Sequence, residues 1–248
     1  MIRTLAFGGV VLVSTIFFSL AAIVAGLVRA KKGAYDWVHR NWSRTVLRAA
    51  GVKVEVTGLE NVRPGGAQIF VCNHQSMFDI WAMFATLPVS LRFIAKKELS
   101  RIPVFAHAMR QAGHVFIDRT DRSQAAEAMR RAGERMKNEG LSLGLFPEGT
   151  RSRDGALGAF KKGTFALAIE TQTTLVPIAV DGGAEIMPDG LRLRPRPLLM
   201  RCGAPIELSG LDAGDRDDLL ARSRAEISGM LEEARRERPL RAESSPAV

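Results

Sequence analysis

Cysteine is nearly absent from this chain of 248 residues. Cys72 and Cys202 are the only two, too far apart for a zinc-ligand spacing and too few for a disulfide framework. Their scarcity suits a reducing compartment and leaves both as small core residues. Acidic residues also run short, with 26 Asp and Glu against 35 Lys and Arg and a formal charge of +9. That surplus attracts phosphates, nucleic acid or an anionic bilayer without choosing among them. No internal repeat or low-complexity stretch occurs, and only the polar tail reads as disordered. The length fits one sizeable domain plus an accessory segment.

Charge is missing altogether from Leu5 to Val28, a run long enough to cross a hydrocarbon core of about 30 Å as a helix. It exceeds the apolar core of a secretory signal, and Arg29, Lys31 and Lys32 stand where a cleavage site would be. Membrane attachment is therefore expected. Basic residues outweigh on the far side (Arg29, Lys31, Lys32 and Arg40 against Arg3), which predicts an inner-membrane protein whose domain faces the cytoplasm. Gly8, Gly9 and Gly26 leave room for a re-entrant or interfacial helix instead. From Tyr35 to Ala50, Tyr35, Trp37 and Trp42 alternate with Arg40, Arg44 and Arg48, as in a helix at headgroup level; a helix packed on the domain would read similarly.

The rest alternates strands and helices, predicting an α/β fold with a mixed, largely parallel sheet flanked by helices. Residues 1–50 form the anchor, 51–236 the domain and 237–248 the tail. Ile69 to Cys72 is a continuous apolar run of buried-strand type, and Ser76 is a candidate N-cap for a helix from Met77. Pro177 argues that the strand over 174–180 lies at an edge or a bulge. Residues 191–200 read as a basic edge strand or loop, and 212 to about 236 as the last helix.

Three polar sites follow apolar strands: His74, Arg119 and Glu148-Gly149-Thr150-Arg151. In open α/β sheets ligands gather beyond the carboxyl ends of strands, so their convergence says more than any one of them. His74 and Asp79, five apart, fit a general base oriented by a carboxylate. They fit equally a histidine beside a helix-start aspartate that complements the helix dipole. No second His or Cys cluster supports a metal site. Gly149, Thr150 and Arg151 fit an anion cradle, with Arg119 and Lys96 as further phosphate donors. Glu148 is the odd member, because a carboxylate repels phosphate; it could accept from a substrate hydroxyl or orient Arg151.

Asn73-His74-Gln75-Ser76 through Asp79, Phe116-Ile117-Asp118-Arg119, Phe146-Pro147-Glu148-Gly149-Thr150-Arg151-Ser152 and Val176-Pro177-Ile178 resemble, in order, the four blocks of the glycerolipid acyltransferases. The likeness is strongest to the bacterial 1-acylglycerol-3-phosphate acyltransferases. Lys96-Lys97-Glu98-Leu99 and Phe160-Lys161-Lys162-Gly163 belong to the same likeness. The resemblance implies transfer of an acyl group from acyl-CoA or acyl-carrier protein to lysophosphatidic acid, giving phosphatidic acid, with membrane lipids around it and no cofactor. It further implies that His74 is the base, Asp79 its orienting group, and Arg151, Arg119 and Lys96 the phosphate ligands, with Glu148, Gly149 and Thr150 shaping the pocket. Another lyso-acceptor, or a noncatalytic module that binds phosphate lipids, would use the same loop; nucleic-acid binding fits poorly with the apolar segment.

Overall fold

The structure is a computed structural model that describes residues 2–118, 121–188, 190 and 192–243. Helices α1 (Ile2–Leu27) and α2 (Lys32–Ala50) precede the first strand, β1 (Val54–Thr57). There follow β2 (Ile69–Cys72), α3 (Met77–Thr86), β3 (Leu91–Lys96), α4 (Pro103–Ala112), β4 (Val115–Ile117), α5 (Arg122–Glu139) and β5 (Ser142–Leu145). The chain ends with α6 (Gly163–Thr171), β6 (Leu175–Asp181), α7 (Gly183–Ile186), β7 (Leu198–Cys202) and α8 (Arg216–Glu243).

Among the described residues one sheet of seven strands runs in the order β1-β7-β6-β2-β5-β3-β4. Its pairings are parallel except that of β6 with β7, which is the mixed, largely parallel sheet expected. Alternation along β2 divides the core between the two faces. Phe70 and Cys72 join Phe93, Ile178 and Met200 under α1, α2 and α3. Ile69 and Val71 join Leu143, Leu145 and Leu175 under α5, α6 and α8. A strand covered on both faces needs the unbroken apolar run that Ile69–Cys72 supplies.

Of the edge or bulge expected at Pro177 the structure has the bulge, and two other expectations, for residues 191–200 and for the start of the last helix, are corrected. Strand β6 is interior, between β2 and β7, despite Pro177. It tolerates the proline because the β6–β7 ladder shifts there: Ile178 pairs with Cys202 while Leu175 bridges Ile206, so Val176 and Pro177 oppose Gly203, Ala204 and Pro205. The missing N–H falls in this bulge-like offset, and the Pro177 carbonyl still accepts from Gly203 N–H at 2.8 Å. Strand β7 is not an edge either. Its Leu198, Leu199, Met200 and Cys202 are buried between β1 and β6, and the arginines Arg192, Arg194 and Arg196 lie in the loop before it. Helix α8 starts later than expected, after a capped turn at Asp212, and continues to Glu243.

Helix α1 lies along the domain, packed on α2 and α4. Phe7, Ser14, Phe18 and Ala22 make its buried stripe, while Leu5, Val13, Phe17, Leu20 and Val24 are exposed. Both ends are tied down. Thr4 Oγ1 accepts from Leu193 N–H at 3.1 Å, and Gly26 lies against Gln111 of α4. Helix α2 buries Tyr35, Val38, Val46 and Leu47 and leaves Trp37 outside, so its apolar face packs in the protein.

Candidate active site

Strand β2 stops at Cys72, and Asn73 carries its line onward. The Asn73 side chain donates to the Val180 carbonyl (2.9 Å) and accepts from Val180 N–H (2.8 Å), a pairing that fastens the next residue beside β6. His74 is then held from two sides. Its backbone N–H donates to Glu148 Oε1 at 2.8 Å, its carbonyl accepts from Ser152 N–H at 2.8 Å, and its Nδ1 lies 2.8 Å from Asp79 Oδ2.

Asp79 is wholly buried, and its Oδ2 also accepts from the N–H groups of Gln75 (2.7 Å) and Ser76 (2.8 Å). Ser76 is the N-cap of α3, accepting from Phe78 N–H at 3.2 Å, with Asp79 as the reciprocal member of the capping box. The two readings of this pair therefore coincide: one carboxylate caps the helix and orients the imidazole. A carboxylate on Nδ1 selects the Nδ1–H tautomer and leaves Nε2 free to accept a proton. The ring is stacked on Phe146 with centroids 3.9 Å apart.

Glu148 faces inward. Its oxygens accept from His74 N–H and, at 2.9 Å, from Gly158 N–H, so it braces two loops from within. Gly149 has φ of 72°, a left-handed conformation suited to glycine, and a Cβ there would lie 2.7 Å from Lys161 Nζ. Thr150 and Arg151 are exposed beyond it.

An apolar cavity of about 270 Å³ opens between α1, α2, α3, α4 and β3. His74, Lys96 and Arg151 all line it, so the structure brings these three expected residues together. Lys96 also pairs with Glu98 at 3.4 Å. Arg119 lies outside the described residues. Deeper in the same lining, Phe93, Phe84, His39 and His114 form a continuous run of ring contacts.

Cys72 stands close by but is no nucleophile: burial first, then the charges of Asp79 and Glu148, push its thiol well above the usual range. Among the described residues no three His, Cys, Asp or Glu side chains come together as metal ligands. Reading the sequence missed Asn73 as a strap, Lys161 over Gly149, and Gly183, whose missing Cβ makes room for the Asp79 carboxylate. The Phe160-Lys161-Lys162-Gly163 run was the one available signal for Lys161.

Comparison with known proteins agrees with this geometry. The chain is 40% identical over 139 residues to the protein named 1-acyl-sn-glycerol-3-phosphate acyltransferase LPAT1, chloroplastic, of Arabidopsis thaliana, covering 56% of this chain and 38% of that protein. It is 34% identical over 157 residues to the 1-acyl-sn-glycerol-3-phosphate acyltransferase of Cocos nucifera, covering 63% of this chain and 50% of the relative. The chain thus spans half or less of these relatives' length. The fold matches the crystal structure titled 1-acyl-sn-glycerophosphate (LPA) acyltransferase, PlsC, from Thermotoga maritima, with a TM-score of 0.80 at 24% identity over 94% of this chain and 95% of that one. The acyltransferase family model matches residues 53–181, just over half of the chain, a span that includes His74, Asp79, Lys96 and Glu148 to Arg151, and the chain belongs to that acyltransferase family.

Proposed function

We propose that this chain transfers an acyl group from a soluble thioester, acyl-CoA or acyl-carrier protein, to the 2-hydroxyl of 1-acylglycerol 3-phosphate, giving phosphatidic acid. One observation carries the reading: His74, oriented by Asp79, shares an apolar cavity with Lys96 and Arg151. A base, a place for an alkyl chain and two cations that suit a phosphate are what such a transfer needs. The names of the Arabidopsis and Cocos relatives support the choice of acceptor.

In this mechanism His74 Nε2 takes the proton of the 2-hydroxyl as its oxygen attacks the thioester carbonyl carbon. The C–O bond forms, the tetrahedral intermediate collapses with cleavage of C–S, and the imidazolium returns its proton to the departing thiolate. Asp79 stabilises the imidazolium and holds the ring; a base so placed contributes about 10²–10⁴-fold. Arg151 offers a fork that matches phosphate oxygens, with Lys96 and Arg119 as further donors. A thioester is already activated, so positioning the two substrates beside one base supplies the rest and no cofactor takes part.

The same reading places the protein on the cytoplasmic face of the inner membrane. Helix α1 is long and apolar enough to cross a membrane by length and composition. Yet it touches the domain at Thr4 and again at Gly26, so a spanning path would drag the domain with it. We place α1 in the membrane surface, its exposed leucines and valines in one leaflet, where a lysolipid and a soluble donor can both reach His74.

The test is a panel of lyso-acceptors and acyl donors with the purified protein. Lysophosphatidic acid should be acylated fastest; preference for a lyso-acceptor without phosphate would overturn the choice of acceptor.

A further inference from the structure

A second cavity, of about 960 Å³, lies on the opposite face of the sheet, between α5 and α6. Met129, Leu145 and Leu167 line it, and it shares Ile94 and Phe146 with the cavity on the α1 side. Phe146, the residue stacked on His74, is thus common to both linings, while His74 itself lines the cavity on the α1 side. Gly149 and Lys161 also belong to this second lining.

Of the three basic residues that line this groove, Arg130, Lys161 and Lys162, only Lys161 has no counter-ion among the described residues. Lys162 pairs with Asp217 at 2.7 Å, Arg130 with Glu127 at 2.8 Å and with Glu134, and Lys96 with Glu98 at 3.4 Å. Lys161 makes no ion pair among the described residues. It is nonetheless well placed: its backbone N–H donates to the Pro147 carbonyl at 2.8 Å, and its side chain runs directly over Gly149. An exposed ammonium held across a loop, facing a groove and unmatched by any carboxylate, suits an anionic ligand.

Both substrates of the proposed transfer carry phosphate, and they arrive from different phases. Arg151 and Lys96 line the cavity on the α1 side, where the lipid acceptor lies. The soluble donor needs the other side. Its phosphopantetheine arm, common to CoA and carrier protein, is a narrow amide-bearing chain with a phosphate at one end and the thioester at the other. Resting on the acyl-transfer reading, we propose that the groove between α5 and α6 takes this arm, with Lys161 on its phosphate.

The test compares acyl-CoA, acyl-carrier protein, acyl-phosphopantetheine and acyl-pantetheine, the last lacking the phosphate, in the parent protein and in Lys161→Ala and Lys161→Arg. In the parent the phosphate should lower the donor KM about tenfold, the size of a charge-assisted hydrogen bond. Lys161→Ala should erase that difference, act alike on acyl-CoA and acyl-carrier protein, and leave the KM for lysophosphatidic acid unchanged. Lys161→Arg should restore most of it, and Ala125→Trp, which fills the groove, should raise the KM of all four donors. Three results would overturn the assignment: an intact preference for phosphate in Lys161→Ala, an effect confined to acyl-CoA, or a raised acceptor KM. Absence of transfer from every donor would instead sink the acyl-transfer reading, so the two failures are distinguishable.

Discussion

Gly183, at the start of α7, stands so close to Asp79 that a Cβ built on it would lie 2.6 Å from Oδ1 of the carboxylate and 2.8 Å from Ser76 Oγ. The carboxylate that orients His74 therefore has its position set by an absent side chain. Gly183→Ala should push Asp79 off the imidazole and lower kcat by about 10²-fold, the scale of a displacement near 1 Å, with the fold retained. Acceptor KM should move little. Unchanged turnover in a folded Gly183→Ala protein would show that Asp79 can shift without consequence.

Glu148 makes a second prediction that separates bracing from ligand binding. Its two oxygens serve the N–H groups of His74 and Gly158, and a glutamine can serve only one of them. Glu148→Gln should cost about 1–3 kcal/mol of stability, the penalty for a buried donor left unpaired. Urea unfolding measures it. A variant with parental stability and a specifically raised acceptor KM would return Glu148 to the substrate pocket.

The outer face of α1, with Val13 and Leu20, is exposed, so charging it should leave the fold alone. Val13→Glu with Leu20→Glu should move the chain from the membrane fraction to the soluble one, whereas high-salt washing of the parent should release none, because apolar burial dominates. Release of the parent by salt alone would show that the basic surface holds it.

Two buried imidazoles set a limit in acid. His114 Nδ1 accepts from Phe93 N–H at 3.0 Å, which leaves its Nε2–H to donate to His39 Nε2 at 3.2 Å, an arrangement that requires both rings neutral. Burial, and then the Arg92 charge, lowers His114 from 6.5 to about 3; burial, then His114 and Arg92, holds His39 well below its usual value. The unfolded chain binds these protons at a higher pH than the native one does. Stability from His114 is thus complete above pH 6.5 and lost as the pH falls toward 3, at about 1.4 kcal/mol per pH unit, and His39 acts in the same direction. Melting temperature should drop through that window, and His114→Gln should flatten the drop. A parallel decline in both proteins would assign it to other groups.

Much of this was legible in the residues because it is local. Ser76 as N-cap and Asp79 three residues on belong to one helix start, and the unbroken run Ile69–Cys72 marks a strand covered on both faces. What stayed hidden depends on which segments become neighbours. Pro177 leaves edge and bulge open until Gly203 to Pro205 are seen opposite it, and the arginines before Leu198 obscured a strand buried on both sides. Glu148 stood out as the odd member of its loop without a settled role; its partners, His74 and Gly158, are found only by folding. Lys161 and Gly183 act through what they lie against, and no spacing encodes that.

Every other role in the site depends on His74 acting as the base. Its most direct test is thiol release from acyl-CoA in the presence of lysophosphatidic acid, measured for the parent and His74→Ala beside lipid binding by flotation with vesicles. The variant should bind vesicles as the parent does and lose thiol release by about 10²-fold or more. Release at the parental rate from a folded His74→Ala protein would contradict it.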